Sequence, residues 1–361
     1  MNNLSAVYQK KNKATFTVIS FKDIILPSCF ILFTVGLVMF SNSNLIAAKA
    51  GLKLWANNVV PSLFPFFVAT HLLSSTDIIS CISKSCNKIM RPLFNVPGES
   101  AYAFILGLIS GYPVGAKIVT NLRNAGLCSK DEGERMLCFT NNSGPLFIIG
   151  TVGISMFANS TIGLLLFITH ILSAITVGFI FGLFSKRKNV SDALSYSSYS
   201  SQKTLTCNFK NLGTILSEAI LESSKTLIMI GGFVVIFSVI ISILNTSKIL
   251  EAFSVFLSFI FKLFNIDLSL VKPVVSGIIE LTNGISLVTA TATKNISTTI
   301  IICAFLLGFG GISVLLQVLS IISKSNLSIK KYIYGKLLQG IIAATYTYIL
   351  ITAFPILNFN L

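Results

Sequence analysis

Charge is what this chain has least of. Only 11% of its 361 residues are charged, 53% are hydrophobic, and the mean hydropathy is +0.83. A water-facing surface needs about 25% charged residues, so the sequence cannot coat a soluble domain and reads as a polytopic membrane protein. Catalytic signatures are missing too. No HExxH, GxSxG or P-loop is present, which argues against an enzyme, and against an ATP- or GTP-driven pump unless a separate subunit supplies the energy. The seven cysteines include no pair at zinc or redox spacing, and the Cys81/Cys86 gap is too wide for CxxC, so buried free thiols are expected. The two histidines, His71 and His170, sit alone in apolar runs and read as helix contacts rather than ligands. No cofactor or metal is implied.

The charges that are present are lopsided, with 27 Lys and Arg against 12 Asp and Glu. They lie in the short polar gaps between apolar runs, as the positive-inside rule distributes them, so the lipid bilayer rather than a nucleic acid is the expected partner. The N-terminus could pass for a signal peptide, with lysines at 10, 11, 13 and 22, an apolar run over 24–40 and AAKA at 47–50. The run is long for a signal peptide, and an uncleaved first span is the expectation.

Segments long enough to cross a ~30 Å core, about 20 residues, fall near 24–40, 54–75, 134–157, 160–184, 224–245, 298–323 and 332–354. Two further apolar stretches, 99–127 and 270–294, are interrupted by SGYPVGA and ELTNG and read as re-entrant helical hairpins. Residues 185–212 are serine-rich and basic, which marks a flexible cytoplasmic linker. With the N-terminus inside, the cytoplasmic gaps outnumber the outer ones in Lys and Arg by about three to one; Lys130, Lys331 and Lys336 are counted among the cytoplasmic ones.

The two halves then match. Each runs span, amphipathic segment (78–94 or 249–264), hairpin, glycine-broken span, span, with corresponding breaks about 170 residues apart, the pattern of inverted repeats in secondary transporters. The expected organisation is a tail and first span (1–44), a first repeat (45–184), the linker (185–212) and a second, inverted repeat (213–361).

Broken backbone at membrane depth is tolerated only where it is buried in protein or lines a wet cavity. The four breaks are Ser110–Ala116, Asn141–Pro145, Glu280–Gly284 and Gly308–Ser313, and they are expected to meet near the midplane. Half-helix N-termini there would present N–H groups and partial positive charge to an anion. Candidate binding residues are Ser110, Gly111, Tyr112 and Gly115 at the first break and Asn141, Asn142, Ser143 and Gly144 at the second. Thr282 and Asn283 at the third and Gly310, Gly311 and Ser313 at the fourth complete the set, with Gln317 a weaker addition. Lys117, about one turn past the first break, would add formal charge to the site or else snorkel to the interface. Glu280 is the one carboxylate well inside an apolar region; it would carry protons or pair with Lys117 across the cavity.

GLKLWANNVVPSLFPFF (51–67), SGYPVGAKIV (110–119), GERML with NNSGPLFIIGTVG (133–153) and the ELTNG of the second half resemble the YlbJ family of sporulation integral membrane proteins. The repeats of that family belong to the nucleoside-recognition Gate superfamily. The resemblance covers nearly the whole chain outside the tails and linker. It implies a role in endospore formation, with dipicolinic acid moved across the mother-cell-derived outer forespore membrane. It also implies a scaffold similar to concentrative nucleoside transporters, on which Glu280 takes the place of a substrate-contacting hairpin acid. The first tip departs from the nucleoside pattern, having Lys117 and no acid, and so suits a small carboxylate. A coupling ion, H+ or Na+, and a homo-oligomer are compatible with such a scaffold, though no motif specifies either. A nucleoside transporter and a non-transporting sporulation scaffold remain open as alternatives.

Overall fold

The computed structural model describes residues 21–74, 78–185, 211–291 and 295–353. The N-terminal tail, nearly all of the 185–212 linker, and Lys294 lie outside the described residues. Every regular element among those described is helical. Four helical stretches are long and apolar enough to cross a membrane: Ser160–Leu183, Leu212–Thr246, Ile296–Ile322 and Lys330–Ala353. A fifth crossing is added if Ile24–Met39 and Ser41–Leu73, bent by 100°, form one span.

The sequence expectation of seven crossings differs in two places. Residues 24–40 and 54–75 belong to that bent pair, in which α1 (Phe21–Met39) meets α2 (Ser41–Leu54), and α2 runs through a π-turn at Trp55–Val59 into α3 (Val60–Ser74). Residues 134–157 are broken at the expected Asn141–Pro145, and no single helix runs through them. They comprise most of α7 (Lys130–Thr140), a non-helical stretch from Asn141 to Gly144, and a π-wound α8 (Leu146–Met156). Eleven residues are too few to cross a ~30 Å core alone.

The remaining helices are α4 (Ile78–Phe94), the hairpin of α5 (Glu99–Ser110) and α6 (Val114–Asn124), α9 (Ser160–Leu183), α10 (Leu212–Thr246) and α11 (Ile249–Leu263). A second hairpin, α12 (Val271–Ile279) with α13 (Leu281–Ala290), leads to α14 (Ile296–Phe309), α15 (Gly311–Ile322) and α16 (Lys330–Ala353). Local chemistry sets many of their starts. Ser129 and Glu132 form a capping box on α7, and the amide oxygens of Asn159 and Asn295 cap α9 and α14, each satisfying N–H groups that the helix cannot.

The apolar residues form two cores. One joins α3, the first hairpin and α7 to α15 and part of α10; the other joins the second hairpin and α14 to α8 and α9. Each broken span therefore leaves one core at its break and enters the other: α7 to α8 in one direction, α14 to α15 in the reverse direction. The outer faces carry side chains such as Phe30, Leu32, Val38, Phe256 and Phe259, all well exposed, as expected where the surrounding solvent is lipid.

One end of the molecule is polar. Asp131 pairs with Arg135 and Lys331, Glu134 pairs with Lys331 at 3.6 Å and accepts from the Ser328 amide at 3.0 Å, and Arg91 holds Glu132 at 2.6 Å. This network fastens the start of α7 to the start of α16. It puts Lys130 and Lys331, both assigned to the cytoplasmic face, at one end.

Candidate functional site

The first hairpin turns at Gly111, whose φ of +83° ends α5, a conformation open to glycine and strained for other residues. Its two arms close on the C-terminus of α7. A Cβ at Gly107 would lie 1.9 Å from the Thr140 carbonyl oxygen, and one at Gly115 would lie 2.2 Å from it. Only glycines admit this approach. Gly111 itself touches the next break, with the Gly144 amide nitrogen 2.9 Å from where a Cβ would stand. The Ser110 hydroxyl is buried and bonds to Thr70.

Asn141, Asn142 and Ser143 are all buried. Asn141 Oδ1 accepts from the Ala116 amide at 3.3 Å, capping α6, while its Nδ2 donates to the Tyr332 hydroxyl at 2.9 Å. Asn142 Oδ1 accepts from Gln339 Nε2 at 2.9 Å and Lys336 Nζ at 3.4 Å. The Ser143 amide donates to His170 Nε2 at 3.2 Å.

The second hairpin turns at Glu280, which has extended backbone (φ −140°, ψ 118°). Its buried carboxylate folds back onto the helix it begins: Oε1 accepts from the Thr282 amide at 3.1 Å and Oε2 from the Asn283 amide at 2.7 Å. The Asn283 side chain turns away and donates to Ser238 of α10 at 2.7 Å. The hairpin arms cross at Gly277 and Gly284, where a Cβ on Gly284 would fall 1.9 Å from Gly277 Cα. The fourth break packs into this crossing. Gly310 and Gly311 have φ of +84° and +80°, and a Cβ on Gly311 would lie 3.1 Å from the Gly277 carbonyl oxygen.

The breaks converge on a cavity lined by Gly111 and Tyr112 from the first, Gly144 from the second, Glu280 and Thr282 from the third, and Val314 and Gln317 one turn past the fourth, with α3 and α10 closing its sides. Its volume is about 30 Å³, room for about two waters. Gln317 Oε1 and the Ser313 hydroxyl are buried and have no hydrogen-bond partner. Gln317 thus stands as a cavity residue, although it was the weaker candidate from sequence.

Three expectations are corrected. Lys117 does not line the cavity: it is half-exposed and pairs with Glu222 of α10 at 3.4 Å, because its position on α6 faces outward while Ala116 and Ile118 face the core. Glu280 consequently does not pair with Lys117. The half-helix N-termini are not open anion seats, since Glu280 occupies that of α13 and Asn141 caps that of α6.

Lys336 is the residue that sequence reasoning misplaced. Counted as cytoplasmic, it is 4% exposed within α16, donating to Gln339 Oε1 at 2.7 Å as well as to Asn142, with the Tyr332 ring 5.9 Å away. The available signal was a stripe at helical spacing, Tyr332, Lys336, Gln339 and Thr347, all of which are buried.

Comparison with known proteins follows the same lines. The family described as Gate, nucleoside recognition, matches residues 56–187 and 227–325. The chain is 33% identical over 340 residues to the sporulation integral membrane protein YlbJ of Bacillus subtilis strain 168, covering 91% of this chain and 82% of that protein. No solved structure matches. The four breaks all fall inside the Gate segments, and with this extent of identity the chain belongs to the YlbJ family of sporulation integral membrane proteins, built on the Gate nucleoside-recognition module.

Proposed function

We propose that the protein is a membrane transporter that moves a small anionic metabolite during endospore formation by alternating access. Dipicolinic acid, crossing the outer forespore membrane, is the favoured cargo. The observation that carries this reading is the convergence of three chain breaks, and of the helix that follows the fourth, on one cavity. Breaking four helices inside a membrane leaves backbone groups that must be satisfied otherwise, and a packing role alone would not require the breaks to share a cavity.

In the state seen here the polar groups serve one another: Glu280 caps α13, and Asn141 caps α6. Cargo entry exchanges these internal caps for bonds to the cargo. A hydrogen bond to a charged group contributes about 1.5–3 kcal/mol, so the exchange can be nearly balanced, as a transporter that must also release its cargo requires. Among the described residues Glu280 is the only carboxylate lining the cavity. Two carboxylates held together in a dry site repel, so an anionic cargo beside Glu280 brings a proton with it or displaces that side chain. The reading adopted is the first, with a proton carried alongside the cargo.

One observation favours a second reading. No lysine or arginine lines the cavity, and a carboxylate there suits the hydroxyl groups of a nucleoside. Uptake of labelled dipicolinate and of labelled uridine into vesicles carrying purified protein separates the two. Saturable dipicolinate uptake supports the first reading and saturable uridine uptake the second. Uptake of neither leaves the non-transporting scaffold.

A further inference from the structure

Lys336 is a buried cation without a carboxylate partner: among the described residues no ion pair involves it. A charge in that position is costly unless something compensates it. An inventory of donors and acceptors identifies what is missing. The Lys336 ammonium has three donors. It meets two oxygens, Gln339 Oε1 at 2.7 Å and Asn142 Oδ1 at 3.4 Å, and the latter also accepts from Gln339 Nε2 at 2.9 Å. Both amide oxygens are thus already engaged, and the second only weakly by the lysine.

His170 adds to the surplus. It is 1% exposed, and its Nε2 accepts the Ser143 amide proton. The neutral ring therefore carries its hydrogen on Nδ1, and Nδ1 is buried with no partner. The cluster thus holds two unspent donors, one formally positive, and no carboxylate; the Ser143 hydroxyl beside it is also buried without a hydrogen-bond partner among the described residues. What would complete it is an anion that accepts two or more hydrogen bonds, such as a carboxylate.

Its place relative to the cavity is fixed by consecutive residues. Gly144 lines the cavity, the Ser143 amide is held by His170, and Asn142 is held by Lys336 and Gln339. The non-helical stretch after α7 is the partition between cavity and cluster. It is also the least regular backbone there. We propose that Lys336, His170 and the Asn142 and Gln339 amides form the carboxylate-binding subsite of the transporter, reached from the cavity when this stretch shifts. Lys336 and Gln339 lie beyond the Gate match, whose second segment ends at residue 325, while Asn142 and His170 lie inside its first segment. That fits a feature separating this chain's cargo from the uncharged ligands of a nucleoside site.

The inference rests on the transporter reading, and its test keeps the two apart. Dipicolinate binding to the detergent-solubilised full chain is measured by the shift in unfolding temperature, and uptake is measured in vesicles, for the wild type, Lys336→Gln, Gln339→Glu and Lys117→Gln. Lys336→Gln is expected to weaken dipicolinate binding at least tenfold. Gln339→Glu, which places a resident carboxylate on Lys336, is expected to weaken it as much while leaving the unliganded protein at least as stable, so that misfolding is not the cause. Lys117→Gln is expected to bind as the wild type does. Uptake with unchanged affinity in both cluster variants would overturn the subsite and keep the transporter. Lys336-dependent binding without uptake would keep the subsite and overturn the transporter. Neither binding nor uptake in the wild type would overturn both.

Discussion

The two hairpin tips solve one problem with different groups. Each ends a helix inside the membrane and begins another, and each must cap the N–H groups so exposed. The second tip uses its own acid, Glu280, within the chain turn itself. The first uses a neutral amide from elsewhere, Asn141, and stands on a stretch backed by the buried Lys336 and His170. A carboxylate at one tip and a cation behind the other give the site a polarity that the match expected between the halves from sequence would not suggest. A helix break sets where polar groups are needed; which groups supply them decides what the site can hold.

The largest effect expected on the fold is at the second crossing. Gly284→Ala puts a methyl on the Gly277 backbone, beyond the roughly 1–3 kcal/mol of ordinary overpacking. It should abolish recovery of folded protein from membranes in size-exclusion chromatography. Normal recovery would show that the hairpin arms do not meet as described.

Glu280 separates capping from charge. Glu280→Gln keeps an oxygen for the α13 cap but removes the charge, whereas Glu280→Ala removes both. Uptake should fall tenfold or more in each, matching a loss of about 1.5–3 kcal/mol for a bond to a charged group, while only the alanine should also lower the unfolding temperature. Equal stability in the two would mean that the carboxylate does not cap the helix.

Asn142→Ala strips Lys336 of one of its two acceptors, and a buried donor left unsatisfied costs about 1–3 kcal/mol. Its unfolding midpoint should drop, and Lys336→Met introduced with it should restore part of the loss. No recovery in the double variant would remove Lys336 from the argument.

The polar end gives a smaller, pH-dependent effect. Burial alone would raise the Glu132 carboxyl, but the Ser129 amide and hydroxyl and the Arg91 guanidinium outweigh it and hold the group below the ordinary value of 4.5. A depressed acid adds stability that is present above its unfolded pKa and lost as pH falls through the folded one. Melting of the wild type should therefore decline below about pH 4.5 more steeply than that of Glu132→Gln. Parallel curves would show the cap to be energetically idle. The smallest effect belongs to Lys117→Gln: its exposed pair with Glu222 is worth at most about 1 kcal/mol, so a large stability loss would mean that the pair is not a surface one.

Much of this could be read before the fold was seen, because breaks are written in local chemistry. SGYPVGA, NNSGP, ELTNG and GFGG each announce a stop, and Glu280 stands out as an acid in an apolar run. What could not be read was the use of each group. Whether a carboxylate at a hairpin tip faces a ligand or caps the next helix depends on a single side-chain rotation. Lys117 and Lys336 exchange roles for a related reason. A lysine near a break looks internal and a lysine near a span end looks external, but orientation around the helix decides, and that is set by how α6 packs on α5, α7 and α15 and how α16 packs on α14, α9 and α7. The stripe on α16 carried this information at helical spacing, hidden by counting charges along the chain instead of around the helix.

The central claim, that both hairpin tips face one cargo, is tested most directly by thiol protection. In a background with the native cysteines replaced by alanine, Tyr112→Cys and Gln317→Cys sample the cavity from the two halves, and Lys117→Cys samples the outer side of α6. Saturating dipicolinate should slow modification by a small thiol reagent at both cavity positions and leave Lys117→Cys unchanged. Equal labelling with and without dipicolinate at both cavity positions, in protein that takes dipicolinate up, would contradict the account.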